Sequence, residues 1–221
     1  MSVFFNINDA INSNIIDSKH IFIIANERTK KDGSIGRSYK MFKNYDFFLK
    51  HREKYQHCHE IFVDHTNNTP NIAGRLVFDF DIKYDDNIVI PKDFKKQIKM
   101  VILKIINSFY KNIDTDILVF VWSSCENNNK LSKHLTVKNI YFENWIPMIK
   151  IFYQLFSKMW DQEYKWILSD KLIDQQIIRK NASLRMVGSK KIGGNILKLH
   201  NQNAQSERFF LYFYHSKSVS S

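Results

Sequence analysis

Two aspartates, Asp79 and Asp81, stand two residues apart inside the apolar run RLVFDFDI (75–82). In an extended strand, residues i and i+2 leave the same face, so both carboxylates point one way while Phe78 and Phe80 point the other. Like charges at that spacing repel and resist burial unless a cation sits between them. Hard oxygen donors of this kind suit Mg²⁺ or Mn²⁺, and an anionic phosphate would complete the shell. The chemistry on offer is that of a divalent metal on the face of a sheet. An Asp-x-Asp pair alone is a weak signal, because glycosyltransferases and nucleases carry such pairs and two solvent-facing acids look the same.

Two more segments supply what a metal and a nucleotide need together. In KLSKHL (130–135), Ser132 and His134 share one strand face, and Lys130 joins them two residues earlier. Further on, Asp174 is followed eleven residues later by Arg185 and then by Ser189, Lys190 and Lys191. Carboxylates for metal, with His, Ser, Lys and Arg for a triphosphate, describe a nucleotidyl-transfer site. Two metals would stabilise the attacking and leaving oxygens of an in-line displacement. The cations would neutralise charge on the departing pyrophosphate. His20, His65 and His200 lack such company and read as structural histidines. Asp170 competes with Asp174 as third acid. Trp122, Trp145, Trp160 and Trp166 read as core.

These residues have to be positioned by an α+β fold. HIFIIAN (20–26) reads as a strand, ERTKKDGSIGRS (27–38) as a turn or mobile loop, and SYKMF (38–42) as a second strand. NYDFFLKHREKY (44–55) has helical amphipathicity, CHEIFVDH (58–65) alternates as a strand, and HTNNTPN (65–71) is a loop. From Arg75 the order becomes strand 75–82, helix 91–112 with Pro at its first turn, strand 116–124, turn 126–130, strand 132–141, helix 143–164 and a last strand in SLRMVG (183–188). That is β-α-β-β-α-β, an RRM-like unit with two helices on one sheet face and the other face free for a site. The expected organisation is an N-terminal αβ module over 1–72, an RRM-like catalytic module over 73–215, and a polar tail over 216–221 suited to a linker.

Composition narrows the partners. Lys and Arg number 33 against 22 Asp and Glu, leaving a formal charge of +11. Such an excess favours a polyanion, nucleic acid ahead of an anionic membrane surface. Hydrophobic residues at 44% are ample for a core, yet no window approaches the 18 or so uninterrupted apolar residues of a membrane span. Cys58 and Cys125 are far apart and in no CxxC pattern, which excludes a Cys-rich zinc site in this segment and points to a reducing, intracellular compartment.

The three segments in order resemble the motifs of archaeo-eukaryotic primases: hhhDxD in VFDFD, SxH in SKH, and hD at Asp174. The third region, DQQIIRKNASLRMVGSKK (174–191), is most similar to the primase–polymerase branch and to the amino-terminal primase domain of poxvirus-type primase–helicases. GRSYKMF and QHCHEIF (56–62) resemble the stretch before the DxD strand in eukaryotic primase–polymerases. The resemblance covers about residues 36–195. It implies an archaeo-eukaryotic primase catalytic core in which Asp79, Asp81 and Asp174 hold two divalent ions, Mg²⁺ or Mn²⁺. It further implies that Lys130, Ser132, His134, Arg185, Ser189, Lys190 and Lys191 serve the incoming triphosphate, with Arg37 near the nucleotide and template. The implied partners are a single-stranded DNA template, NTP or dNTP, a primer, and a helicase domain in the longer chain. Ala182 and Gly188 depart from the primase–polymerase pattern, Gly188 in the poxvirus-like direction. A/T-rich residue usage together with that third motif points to a large DNA virus, active at the host-cell site of viral replication. The rival readings are a non-catalytic RRM-like nucleic-acid module, disfavoured because acids stand where RNA binders place stacking aromatics, and a metal-dependent nuclease.

Overall fold

A computed structural model describes residues 3–13, 22–43, 45–61, 74–84, 88–110, 112–125, 129–142, 144–179 and 181–200. The expected loop 65–71 and tail 216–221 lie outside the described residues. The fold is α+β, with two antiparallel sheets and helices packed on the second.

The first sheet has the order β1-β3-β2-β4-β8. Its central hairpin joins β2 (Phe22–Thr29) to β3 (Ile35–Phe42). The segment expected to be a loop over 27–38 is thus mostly strand. Only 30–34 turn, closed by Lys30 N–H to Ser34 O at 2.8 Å and by Gly33 at φ +79°. Edge strand β1 (Val3–Phe4) and helix α1 (Ile7–Asn12) flank one side. After β3, the expected helix over 44–55 is broken into α2 (Tyr45–Leu49) and a 3₁₀ turn (Arg52–Lys54). Phe48 of α2 anchors it against Phe22 and Phe42, with ring centroids 5.0 and 5.1 Å away. Strand β4 (Cys58–Ile61) is buried along its whole length.

The second sheet has the order β5-β7-β6-β9. β5 (Gly74–Lys83), β6 (Val119–Cys125) and β7 (Lys130–Phe142) keep the strand order of a split βαβ unit. Helices α3 (Phe94–Phe109) and α4 (Trp145–Glu163) cover one face of it. Phe78 and Phe80 point into that layer and are fully buried, Phe78 stacked on Tyr153 and Phe80 on Trp122. Trp122, Trp145 and Trp160 are core residues as expected, whereas Trp166 is half-buried and donates Nε1–H to Gln97 Oε1 at 2.9 Å.

The fourth strand of the RRM-like unit is where the sequence reading needs correction. β8 (Ser183–Arg185), expected to close the second sheet, pairs instead with β4 in the first sheet, Arg185 opposite His59. Beside β5, where that fourth strand would lie, the described residues place only a single bridge from Ile173 to Phe80. The far edge is closed by β9 (Lys198–Leu199) on β6. The first sheet thus draws its strands from both sides of residue 72, the last of them from Ser183–Arg185. Strand β8 carries the buried Arg185, which beside β4 lines the same cleft as the acids of β5.

Candidate active site

The site starts from the register of β5 on β7. A three-residue slip near Arg75/Leu76, taken up in β7 by Asn139 at φ +65°, sets every later pair. Beyond it, Asp79 lies opposite His134 and Asp81 opposite Ser132. Because Phe78 and Phe80 are committed to the core, both carboxylates must face away from the helices. His134 Nε2 stands 3.5 Å from Asp79 Oδ1, and Lys130 Nζ donates to Asp81 Oδ2 at 2.6 Å.

Asp174 arrives by backbone. Helix α5 (Ser169–Leu172) leads into the Ile173 bridge, and Asp174 N–H donates to Asp79 O at 2.8 Å. Its side chain caps the next 3₁₀ turn (Gln175–Ile177), Oδ1 accepting from Gln176 N–H at 2.8 Å. Asp170, the rival third acid, is exposed on α5 and does not reach the cleft.

A cleft of about 230 Å³ is lined by the acids Asp79, Asp81 and Asp174, by the cations Arg37, Arg185, Lys191 and Lys130, and by Ser132 and His134. Ser132 and His134 stand beside the acids on the same sheet, paired with Asp81 and Asp79. Arg37 Nη1 donates to Ser183 Oγ at 2.9 Å, which ties β3 to β8. Of the residues expected at the nucleotide, Ser189 and Lys190 do not line the cleft. Ser189 is fully buried and its Oγ accepts from Arg52 Nη2 at 2.8 Å. Lys190 is held by its backbone, N–H to Gln56 O and O from His57 Nδ1, both at 2.9 Å. Together they fix the turn that presents Lys191.

Among the lining residues that sequence reasoning missed, His59 and Arg179 are the ionisable ones. His59 is buried on β4, its Nε2 3.6 Å from Glu27 Oε1, while Glu27 Oε2 accepts from Ile192 N–H at 3.1 Å. The signal for His59 lay in QHCHEIF, but which of its residues faces the cleft depends on a strand register no single sequence reveals. Arg179 sits in the hydrophilic stretch after Asp174 and had no spacing to mark it.

The electrostatics follow from this arrangement. Burial, then Asp174 and Asp81, push the Asp79 carboxyl up to about 7 against the pull of Arg185 and Lys191. Burial, then Arg185, His59 and Lys191, hold His134 down to about 3, and burial with Arg37, Arg185 and Lys191 does the same for His59. Both histidines are neutral at physiological pH. His134 thus lines the cleft as a neutral hydrogen-bonding group.

No group of three or more His, Cys, Asp or Glu among the described residues is arranged to hold a metal ion. The donor chemistry still suits a hard cation: three carboxylates line one cleft, the charges of Asp174 and Asp81 raise Asp79, and Asp81 Oδ1 is buried without a hydrogen-bond donor. That orphaned oxygen is the kind of acceptor a hard cation satisfies.

No family model matches the chain. It is 49% identical over 226 residues to the uncharacterized protein L537 of Acanthamoeba polyphaga mimivirus, covering 90% of this chain and 48% of that protein. It is 47% identical over 204 residues to the uncharacterized protein L794 of the same virus, covering 88% of this chain and 56% of that protein. The chain thus spans about half the length of the curated relatives it matches. Both relatives are viral. No helix among the described residues is long and apolar enough to cross a membrane.

Proposed function

We propose that the chain is the catalytic core of a DNA primase or primase–polymerase, a template-directed nucleotidyltransferase of the archaeo-eukaryotic primase type. The observation that carries this reading is that one cleft gathers three carboxylates, Asp79, Asp81 and Asp174, with the cations Arg37, Arg185 and Lys191, while Ser132 and His134 flank the acids on the same sheet. A nuclease needs the acids but not this basic set with them. A binding module of the RRM kind needs neither.

Asp79, Asp81 and Asp174 would hold Mg²⁺ or Mn²⁺, which when bound supplies charge stabilisation for an in-line displacement. Arg185, Lys191 and Arg37 take the anionic triphosphate, and Lys130 moves from Asp81 to a phosphate oxygen. Ser132 and neutral His134 orient that triphosphate by hydrogen bonds. The 3′-oxygen of one nucleotide bonds to the α-phosphorus of the next, the α–β bridge breaks, pyrophosphate leaves, and the hydroxyl proton passes to water. The mimivirus relatives are about twice as long as the matched segment. In such proteins a helicase or further nucleic-acid module would supply lasting grip on the template.

Labelled NTP or dNTP with a single-stranded DNA template tests the reading. New strand synthesis is the expected result. Template degradation would replace the reading with a nuclease, and binding without chemistry would replace it with a passive module.

The groups set for the triphosphate lead to a further expectation. Arg185→Ala removes a charge-assisted contact worth about 1.5–3 kcal/mol, and so weakens nucleotide binding and incorporation by about ten- to a hundredfold. His134→Ala removes a hydrogen bond to the same anionic triphosphate and falls in the same range. Nucleotide titrations on folded variants check this, and unchanged nucleotide affinity at either position would give that residue a structural role instead.

Template affinity should be modest and salt-sensitive, because the +11 charge attracts phosphates without reading bases. With about four to six phosphates neutralised at about −0.7 each in the slope, affinity falls by about two orders of magnitude between 50 and 200 mM salt. Fluorescence anisotropy with a labelled oligonucleotide measures it, and salt-independent nanomolar binding would refute it.

A further inference from the structure

The second sheet gathers a group of cations on the face turned away from the cleft, where β6 meets β9. Alternation on β7 sends Ser132 and His134 toward the cleft, so Lys133 between them leaves from the opposite face. Lys133 lies opposite Ser124 of β6, and Ser124 lies opposite Lys198 of β9. Residues directly opposite on neighbouring strands share a face, so both lysines stand on the side that carries the helices. From α3 come Lys95 and Lys99, one turn apart. Lys95 Nζ is 5.4 Å from the ring centroid of Trp122, and Lys99 Nζ is 5.2 Å from that of Phe120. His200 follows β9 directly, with Nε2 3.3 Å from Lys133 Nζ.

Lys95 and Lys133 are half-buried, and lysine is seldom buried without an anionic partner. Among the described residues, no carboxylate pairs with Lys95, Lys99, Lys133 or Lys198. Burial holds Lys95 and Lys133 below the ordinary lysine range, and the charge of Lys95 lowers Lys133 further. Burial, then Lys133 and Lys95, lower His200 as well, so its neutral ring accepts a hydrogen bond from Lys133. Cations crowded without an acid are relieved by an anion. The rings of Trp122 and Phe120 already hold Lys95 and Lys99 in place, so little side-chain freedom is lost when that anion arrives. We propose that this surface binds the phosphodiester backbone of a single-stranded nucleic acid outside the cleft. The cations run from α3 across the sheet edge to β9, a track that suits a chain of phosphates better than one compact anion. Half-buried lysines also suit a thin strand following the surface better than a flat bilayer, which meets protruding groups. The track uses none of the residues assigned to nucleotidyl transfer and does not depend on that reading.

Two double variants of the full chain test the site. Lys95→Gln with Lys133→Gln removes two charges from the track. Lys30→Gln with Lys31→Gln removes as many from the exposed turn between β2 and β3. Fluorescence anisotropy follows a labelled oligothymidylate of about 30 nucleotides, longer than a site of about 4–16. The track variant should bind about tenfold more weakly at about 50 mM salt. Its slope of log K against log salt should be shallower by about 1.4, two phosphates at about 0.7 each. The turn variant should stay within about threefold of wild type. Relief of crowding should leave the Tm of the track variant at or above that of wild type, which also shows that it folds. If it melts lower, Lys198→Glu, at an exposed position of β9, decides with the same expected loss. Equal losses in the two double variants, or none in the track variant, overturn the site. So does binding to phosphatidylserine vesicles that needs these lysines while oligonucleotide affinity does not. A chain that holds the strand through the track but makes no product keeps this site and loses the nucleotidyl-transfer reading.

Discussion

Asp79→Ala and Asp81→Ala should each abolish primer synthesis, with losses of about a thousandfold or more, while single-stranded DNA affinity changes by less than about threefold. The split follows from where each function resides. Synthesis depends on charge concentrated in the cleft, and each alanine removes a carboxylate from a set of three. Template affinity comes from many Lys and Arg contacts to phosphates, which neither change touches. The fold should survive, because β5 is anchored through Phe78 and Phe80 on its opposite face. Losing the Asp81–Lys130 pair costs little, since both side chains are about a third exposed and such pairs are worth about 0–1 kcal/mol. Incorporation of labelled nucleotide, alongside anisotropy on the same folded samples, gives the two readouts. Near-normal synthesis by either variant would end the assignment of these acids.

Much of this site was legible because strand alternation is a strong constraint. Once Phe78 and Phe80 are assigned to a core, Asp79 and Asp81 have only one face left. The same parity puts Ser132 and His134 together on β7, and antiparallel pairing of neighbouring strands then sets the two pairs opposite each other. Helices α3 and α4 were equally plain, since their apolar residues recur at helical spacing over many turns. What failed was long-range pairing. SLRMVG reads as a strand from its residues, but nothing local says whether it joins β5, as the RRM-like order demands, or β4, as it does. Ser189 misled for a related reason. Beside Lys190 and Lys191 it looked like a phosphate ligand, yet Gly188 turns the chain at φ +79° and directs Ser189 inward to Arg52 and Cys58. Charge state was also out of reach. A histidine two residues from a serine on a strand looks ionisable until burial and the approach of Arg185 and Lys191 are known.

Replacing Asp79 by asparagine should make the metal-free protein more stable even as it destroys synthesis. Asp79 is 19% exposed and shares the cleft with Asp81 and Asp174, and its carboxyl is raised from 3.8 to about 7. The folded state therefore holds this proton more tightly than the unfolded chain does. Between about pH 4 and pH 7 the native state carries the extra proton, so stability falls as pH rises through that window and the loss is complete above it. The asparagine amide carries no charge at any pH and escapes the loss. Allowing for the water that still reaches the carboxyl, the Asp79→Asn variant should gain about 2–4 kcal/mol at pH 8, a rise in Tm of about 5–10 °C, but only about 1 kcal/mol near pH 4.5. Mg²⁺ or Mn²⁺ should narrow the difference at pH 8, since an ion bound by the native acids stabilises the wild-type chain and has less to hold in the variant. Thermal melts across pH, with and without the ion, decide the matter. A wild-type protein that is the more stable of the two at pH 8 without metal, or one whose melting temperature ignores the ion, would show that these carboxylates are not kept together for a cation.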